Sequence, residues 1–236
     1  MEDQEPMYAT QGVTYDQGLR NYMTSIFNWM ILGVLVSAGG AYLGVTSGLP
    51  AWFAVHKGWF LLAALAPIGI ILAMGVGLRN ASINTLRAGY LALALLEGLT
   101  ITVLLSKFSP ESVIVVFMAT SASFAGLSLW GYTTGKNLSG IGNFVIAALF
   151  GLIAVMIIQM FVQIPGMNLL ISIAGVVIFS ALIAYDTQKL KAAYTPSMDG
   201  DTQSRIVLWG ALDLYLDFIN LFIFLLRIFG VSSSDD

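Results

Sequence analysis

Long apolar runs separated by short polar or Gly/Pro-punctuated joints recur along the chain, at about 25–46, 59–78, 87–106, 111–131, 142–163 and 167–186. A hydrocarbon core about 30 Å thick is crossed by roughly 20 apolar helical residues, so each run predicts a membrane-spanning helix. A seventh run, about 206–229, reads IVLWGALDLYLDFINLFIFLLRIF. It is long enough to span, but Asp213 and Asp217 sit near its middle. On insertion scales each central Asp costs about 2.5–3.5 kcal/mol, against about −0.3 to −0.6 kcal/mol for each Leu, Ile or Phe. The apolar residues roughly offset the two acids. The run therefore reads as a buried seventh helix, with a re-entrant segment as the alternative.

The joints TSGLP, LRNASIN, KFSPES, TTGKNLSG and QIPG are short, and even KLKAAYTPSMDGDTQSR leaves no room for a soluble catalytic domain. The organisation expected is a polar cytoplasmic segment over 1–24, a seven-span membrane domain over 25–230 and a short polar tail over 231–236. The first run is too long for a signal-peptide core, so no cleavage is expected. Composition agrees with a membrane class: 58% of the 236 residues are hydrophobic and 10% charged, where a soluble domain carries about 25% charged residues.

A net charge of −3 provides no basic field for phosphates and excludes a nucleic-acid partner. With no cysteine and one histidine, His56, thiolate metal sites and a zinc centre are excluded, and no cofactor is expected. The Lys/Arg bias sets orientation. Arg20, Arg79, Arg87, Lys136, Lys189, Lys191 and Arg205 share one side, and Lys57, Lys107 and Arg227 the other. This asymmetry puts the amino terminus in the cytoplasm. The carboxyl terminus then lies outside if the seventh run spans, and inside if it is re-entrant.

Ionisable groups within spans are costly unless they face the bundle interior, pair or carry a proton, which makes them the first candidates for function. Asp213 and Asp217 are four apart and so share a helical face, which Trp209 and Asn220 extend by a turn each way. Asp186 ends the sixth span in IAYDTQKLK, on the side where the seventh begins. The two acids lie about 8 to 12 residues into that helix, or roughly 12–18 Å, so one of them can come within reach of Asp186. Two carboxylates in low dielectric resist double ionisation and can share a proton, which is a pH-sensitive latch. Arg79 ends the second span on the same side and could supply a supporting charge. Glu97, at mid-span in the third helix, and Asn220 are candidates for lining an ion pathway.

The segments AYDTQKLK and GALDLYLDFINLFIFLLRIFG, with GYTTGKNLSGIGNF and LRNYMTSIFNWM before them, resemble the Bax inhibitor-1 (transmembrane Bax inhibitor motif) family over nearly the entire chain. The resemblance is strongest to its bacterial inner-membrane branch. It implies an all-α integral membrane bundle of seven helices, six around a central acidic seventh, and a pH-sensitive calcium leak. It assigns the proton-sensing pair to Asp186, through YD, and to Asp217, through LDF; Arg79 takes the place of the family's second-helix arginine. Asp213 is an additional acid outside that pattern, as is Glu97.

The leading expectation is a passive Ca²⁺ pathway in a bacterial inner membrane, gated by a proton shared between Asp186 and Asp217. Hard cations take oxygen ligands, so Asp186, Asp213 and Asp217 are the candidate transient Ca²⁺ ligands, with Ca²⁺ as permeant ion rather than cofactor. The partners implied are the lipid bilayer, Ca²⁺ and protons. A second class is a non-transport regulator that binds membrane proteases or cell-death and stress proteins through its spans. An intramembrane aspartyl protease is remote: YD fits one signature, but GALD is not GxGD and no Pro-Ala-Leu follows. The chain is therefore not expected to be an enzyme. A retinal pigment is excluded because the seventh run holds no lysine.

Overall fold

A computed structural model describes residues 5–77 and 81–233. The elements in chain order are α1 (Glu5–Thr46), α2 (Leu49–Val55), α3 (Lys57–Leu72) with a π-helical continuation (Ala73–Gly77), α4 (Ile83–Leu105), α5 (Pro110–Thr133), α6 (Ser139–Phe161), α7 (Met167–Ala192) and α8 (Gly200–Phe229). The fold is all-α. Among the described residues six helices are long and apolar enough to cross a membrane, namely Asp16–Thr46, Lys57–Val76 and then α4 to α7.

The apolar runs and the helices agree to within a few residues at most ends, for a local reason in each case. Ser82 starts α4 by accepting a hydrogen bond from the Thr85 amide, and Ser109, with Pro110 behind it, starts α5 by accepting one from Ser112. Two turns require glycine: Gly48 before α2 (φ +74°) and Gly166 before α7 (φ +78°) are left-handed. Three features depart from the sequence reading. The polar segment assigned to 1–24 is, from Glu5 onward, continuous with the first helix, because nothing in YATQGVTYDQGLR breaks a helix. A short helix, α2, occupies the joint after the first span, started by Pro50. A π turn ends the second span at Ala73–Gly77.

Packing divides the helices into two sets. The helices α3 and α6 pack chiefly on α4 and α7 respectively, and turn large apolar side chains such as Leu61, Leu65, Phe150 and Ile158 outward. By contrast α8 packs on α1, α4, α5 and α7 and buries most of its surface, including Leu208, Leu212, Tyr215, Phe218, Leu221 and Leu226, while Trp209, Asp213, Leu216, Asn220 and Ile223 form a half-buried stripe along one face.

Contacts at its ends fix how far α8 runs. Near its start, the Arg205 guanidinium donates to the Ala81 carbonyl (2.7 Å), just before α4. Past its end, the Ser233 amide donates to the Lys107 carbonyl and the Ser109 amide to the Val231 carbonyl, just after α4. One unbroken helix of 30 residues thus runs the full length of α4. The helix has no break at which a re-entrant segment would turn back.

The end holding Ala81 and Arg205 gathers further polar contacts. Gln188 of α7 accepts from the Leu138 amide and donates to the Lys136 carbonyl, tying down the α5–α6 joint. Lys191 donates to the Tyr132 carbonyl (2.8 Å) and lies over that ring. Gly18 of α1 packs against the Tyr194 hydroxyl.

Candidate functional site

Helices α7 and α8 run antiparallel in close contact, and two glycines set their separation. Gly210 receives the Leu190 side chain near one end, and Gly175 receives the Phe224 ring near the other. This register places Asp186 of α7 opposite the stretch of α8 that carries Asp213 and Asp217. The spacing of four puts both of those acids on the face turned to α7.

Asp186 and Asp217 meet there. Both are buried, at 9% and 6% of full exposure, and their carboxyls are close neighbours across the seam. Two carboxyls so placed can hydrogen-bond to each other only while one of them holds a proton. Asp217 Oδ2 is fully buried and has no hydrogen-bond partner among the described residues. An acceptor left unpaired in a dry interior is costly, and a proton on this pair reduces that cost.

Asp213 stands one turn nearer the polar end, with its side chain about half exposed. The residue that joins it to the pair is Lys189. Its ammonium donates to Asp186 Oδ1 (3.3 Å) and lies 3.8 Å from Asp213 Oδ2, on a side chain about half exposed. Lys189 is three residues beyond Asp186 on the same face of α7, a spacing visible in YDTQK; read as one more charge at the membrane surface, it passes unnoticed. The site is therefore three acids and one ammonium, graded from half-exposed Asp213 and Lys189 to buried Asp217.

The other candidates lie elsewhere. Arg79 falls outside the described residues. Asn220 is one turn beyond Asp217, but its amide donates to the Leu216 carbonyl of its own helix. Glu97 of α4 is half-buried near Tyr215, on a different side of α8. The Tyr215 hydroxyl there hydrogen-bonds Ser37 Oγ (2.7 Å), which donates to the Ala94 carbonyl (2.7 Å). Tyr215 and Ser37 carry no signal as a pair in the sequence. The candidate Ca²⁺ ligands Asp186, Asp213 and Asp217 share this site with the Lys189 ammonium. Among the described residues no group of three or more His, Cys, Asp or Glu is disposed to hold a metal ion, and Lys189 contacts both Asp186 and Asp213. A cation there would have to displace an ammonium first.

The family model described as "Inhibitor of apoptosis-promoting Bax1" matches residues 19–234, nearly the whole of the bundle just described. The chain belongs to the Bax inhibitor family. Relatives extend across its length. An uncharacterised protein of Caulobacter vibrioides is 40% identical over 231 residues, covering 92% of this chain and 91% of its own. One from Deinococcus radiodurans is 36% identical, with 97% of each chain covered. The protein named inner membrane protein YbhL of Escherichia coli K12 is 32% identical over 216 residues, 90% of this chain and 92% of its own. This Bax inhibitor family protein is a membrane protein whose candidate site lies between its last two helices.

Proposed function

We propose that this protein is a pH-sensitive cation leak, with Ca²⁺ as the ion carried, in a bacterial inner membrane. The observation that carries the reading is the meeting of Asp186 and Asp217 across α7 and α8, with Asp217 Oδ2 buried and without a hydrogen-bond partner among the described residues. In this reading α8 is the seventh span, central and acidic: it runs the length of α4 and is covered by α1, α4, α5 and α7. The end that carries Lys136, Lys191 and Arg205 faces the cytoplasm, following the Lys/Arg excess, and the inner-membrane location follows the name of the Escherichia coli relative.

One shared proton closes the contact. Its loss leaves two carboxylates facing each other, with Lys189 pairing with Asp186 from the half-exposed side, so repulsion pushes α7 and α8 apart. A loosened acid-lined seam favours cations over anions. Lys189 also gives the site an entry point for protons, because it is the member of the cluster in contact with both the buried and the half-exposed acid.

The test is Ca²⁺ flux into vesicles reconstituted with purified protein, between pH 5 and 9. Wild type should leak more as pH rises. Asp186→Asn combined with Asp217→Asn should flatten the profile, since amides bond across the same seam without titrating. A silent wild-type vesicle would overturn the leak, and an unaltered profile in the double variant would overturn the sensor.

A further inference from the structure

The gap between α1 and α5 is a second built feature, independent of the acid cluster. These helices both pack on α8 but not closely on each other, leaving an open groove floored by Phe218 of α8. Two cavities fill it, of about 740 Å³ and about 720 Å³, and both are lined by Val34, Phe117 and Phe218, so they are continuous. The first extends along α1 from Arg20 to Leu35. Fifteen residues of helix rise about 22 Å, the depth of one leaflet in a bilayer about 40–45 Å thick with its headgroups.

Most polar groups of this cavity gather at one end. Arg20 and Thr24 of α1 and Ser128 and Tyr132 of α5 line it where Lys191 sits over Tyr132; deeper in, the lining is apolar except for Ser121, whose hydroxyl is returned to the Phe117 carbonyl. Arg20 is exposed and makes no ion pair with a described residue. Lys191, by contrast, is committed to the Tyr132 carbonyl. Ser128 is the more telling residue. Thr120, Ser121 and Thr133 of the same helix each return their hydroxyl to the carbonyl four residues back, as hydroxyls inside helices usually do. Ser128 does not: its Oγ is buried, without a partner among the described residues, and lines the cavity. A fixed cation at the rim, an unpaired hydroxyl about a turn deeper and an apolar slot of one leaflet's depth match an amphiphile with an anionic head.

We propose that the α1–α5 groove holds one anionic phospholipid, its phosphate at Arg20, its glycerol-ester region at Ser128 and an acyl chain against Phe27, Val34 and Phe117. Free phosphate lacks the chain that fills the slot, and a zwitterionic lipid gains little from Arg20.

The probe is a phosphatidylglycerol with a photoreactive acyl chain, added to the full chain in nanodiscs. Crosslinks should fall on α1 and α5, and unlabelled dioleoyl phosphatidylglycerol should compete about five-fold better than dioleoyl phosphatidylcholine, the preference expected of one cation at the membrane surface. Arg20→Gln should make the two lipids equal competitors. Ala125→Phe, at an exposed position lining the groove, should abolish the α1 and α5 crosslinks while leaving thermal unfolding unchanged. Three results would each overturn the proposal: equal competition in wild type with crosslinks spread over α3 and α6, which is ordinary surrounding lipid; competition by inorganic phosphate as strong as by the lipid; or a groove closed by a second copy, seen as α1–α5 crosslinks between chains.

Discussion

Along the α1–α4 seam, Gly40 of α1 lies against the Leu95 carbonyl, Gly44 against the Thr102 side chain, and Gly98 of α4 against the Ser37 backbone. Along the α7–α8 seam, Gly175 and Gly210 meet side chains, the Phe224 ring and Leu190. Both seams use small residues for close approach, as membrane helices do, but at Gly40 and Gly98 the first sets backbone on backbone, where both glycines of the second meet flexible side chains. Their buried polar groups differ in the same sense. Ser37 hydrogen-bonds to Gly33, Ala94 and Tyr215, whereas Asp217 keeps an oxygen without a partner among the described residues. The first seam is a clamp whose polar groups are satisfied in one arrangement. On the proposed reading the second is satisfied only when a proton is present, which is the property a movable contact needs.

The largest expected effect breaks the clamp. A methyl group added at Gly98 collides with the Ser37 backbone, which cannot rotate away as a side chain can. Gly98→Ala should therefore lower stability by about 3 kcal/mol, the upper part of the usual range for overpacking, read as thermal unfolding in detergent. Gly39, also on α1, has open space where a Cβ would stand, so Gly39→Ala should leave unfolding unchanged or slightly raise it. Equal effects at the two sites would remove the distinction between clamp and latch.

The second effect has the opposite sign. Asp217→Asn keeps the side chain's size and supplies an N–H donor to Asp186 with no need of a proton. At pH 8 the variant should match wild type or exceed it by about 1 kcal/mol, the net worth of one added hydrogen bond, while the pH response of the flux is lost. A variant that unfolds far more readily than wild type would mean that Asp217 serves the bundle's stability and not its regulation.

The spans and the acid pair are legible in the sequence for different reasons. Length and apolarity are one-dimensional properties, so the six runs and the helices match closely, and the spacing of Asp213 and Asp217 by itself fixes their shared face. Which helices touch is another matter. The apolar residues of α3, α6 and α7 cover all faces alike, leaving no stripe to show that α8 meets α1, α4, α5 and α7 while α3 and α6 stay outside. Lys189 shows a related limit. Its spacing from Asp186 is readable, but its contact with Asp213 depends on the antiparallel register of α7 and α8, which the glycines at 175 and 210 determine only in three dimensions. The same holds for Tyr215 and Ser37, 178 positions apart.

The smallest expected effect concerns how each seam's later helix begins. For α4 the cap is Ser82, a neutral hydroxyl; for α8 it is Asp199, fully exposed, whose Oδ1 accepts from the Asp201 and Thr202 amides. Those hydrogen bonds, that from Thr202 first, hold the Asp199 carboxyl below the ordinary aspartate value. A carboxyl lowered on folding contributes stability above its unfolded pKa, about 3.9, and loses that contribution as pH falls through the lower folded value. Amide protection at Asp201 and Thr202 should therefore decline in acid below that point, while protection at Thr85, bonded to Ser82, should not follow the same titration. Asp199→Asn keeps a capping oxygen and removes the titration, so its protection should no longer fall with this carboxyl. If Asn behaves as Asp does across that range, the acid response at the start of α8 comes from another group, and the cap does not distinguish the two seams.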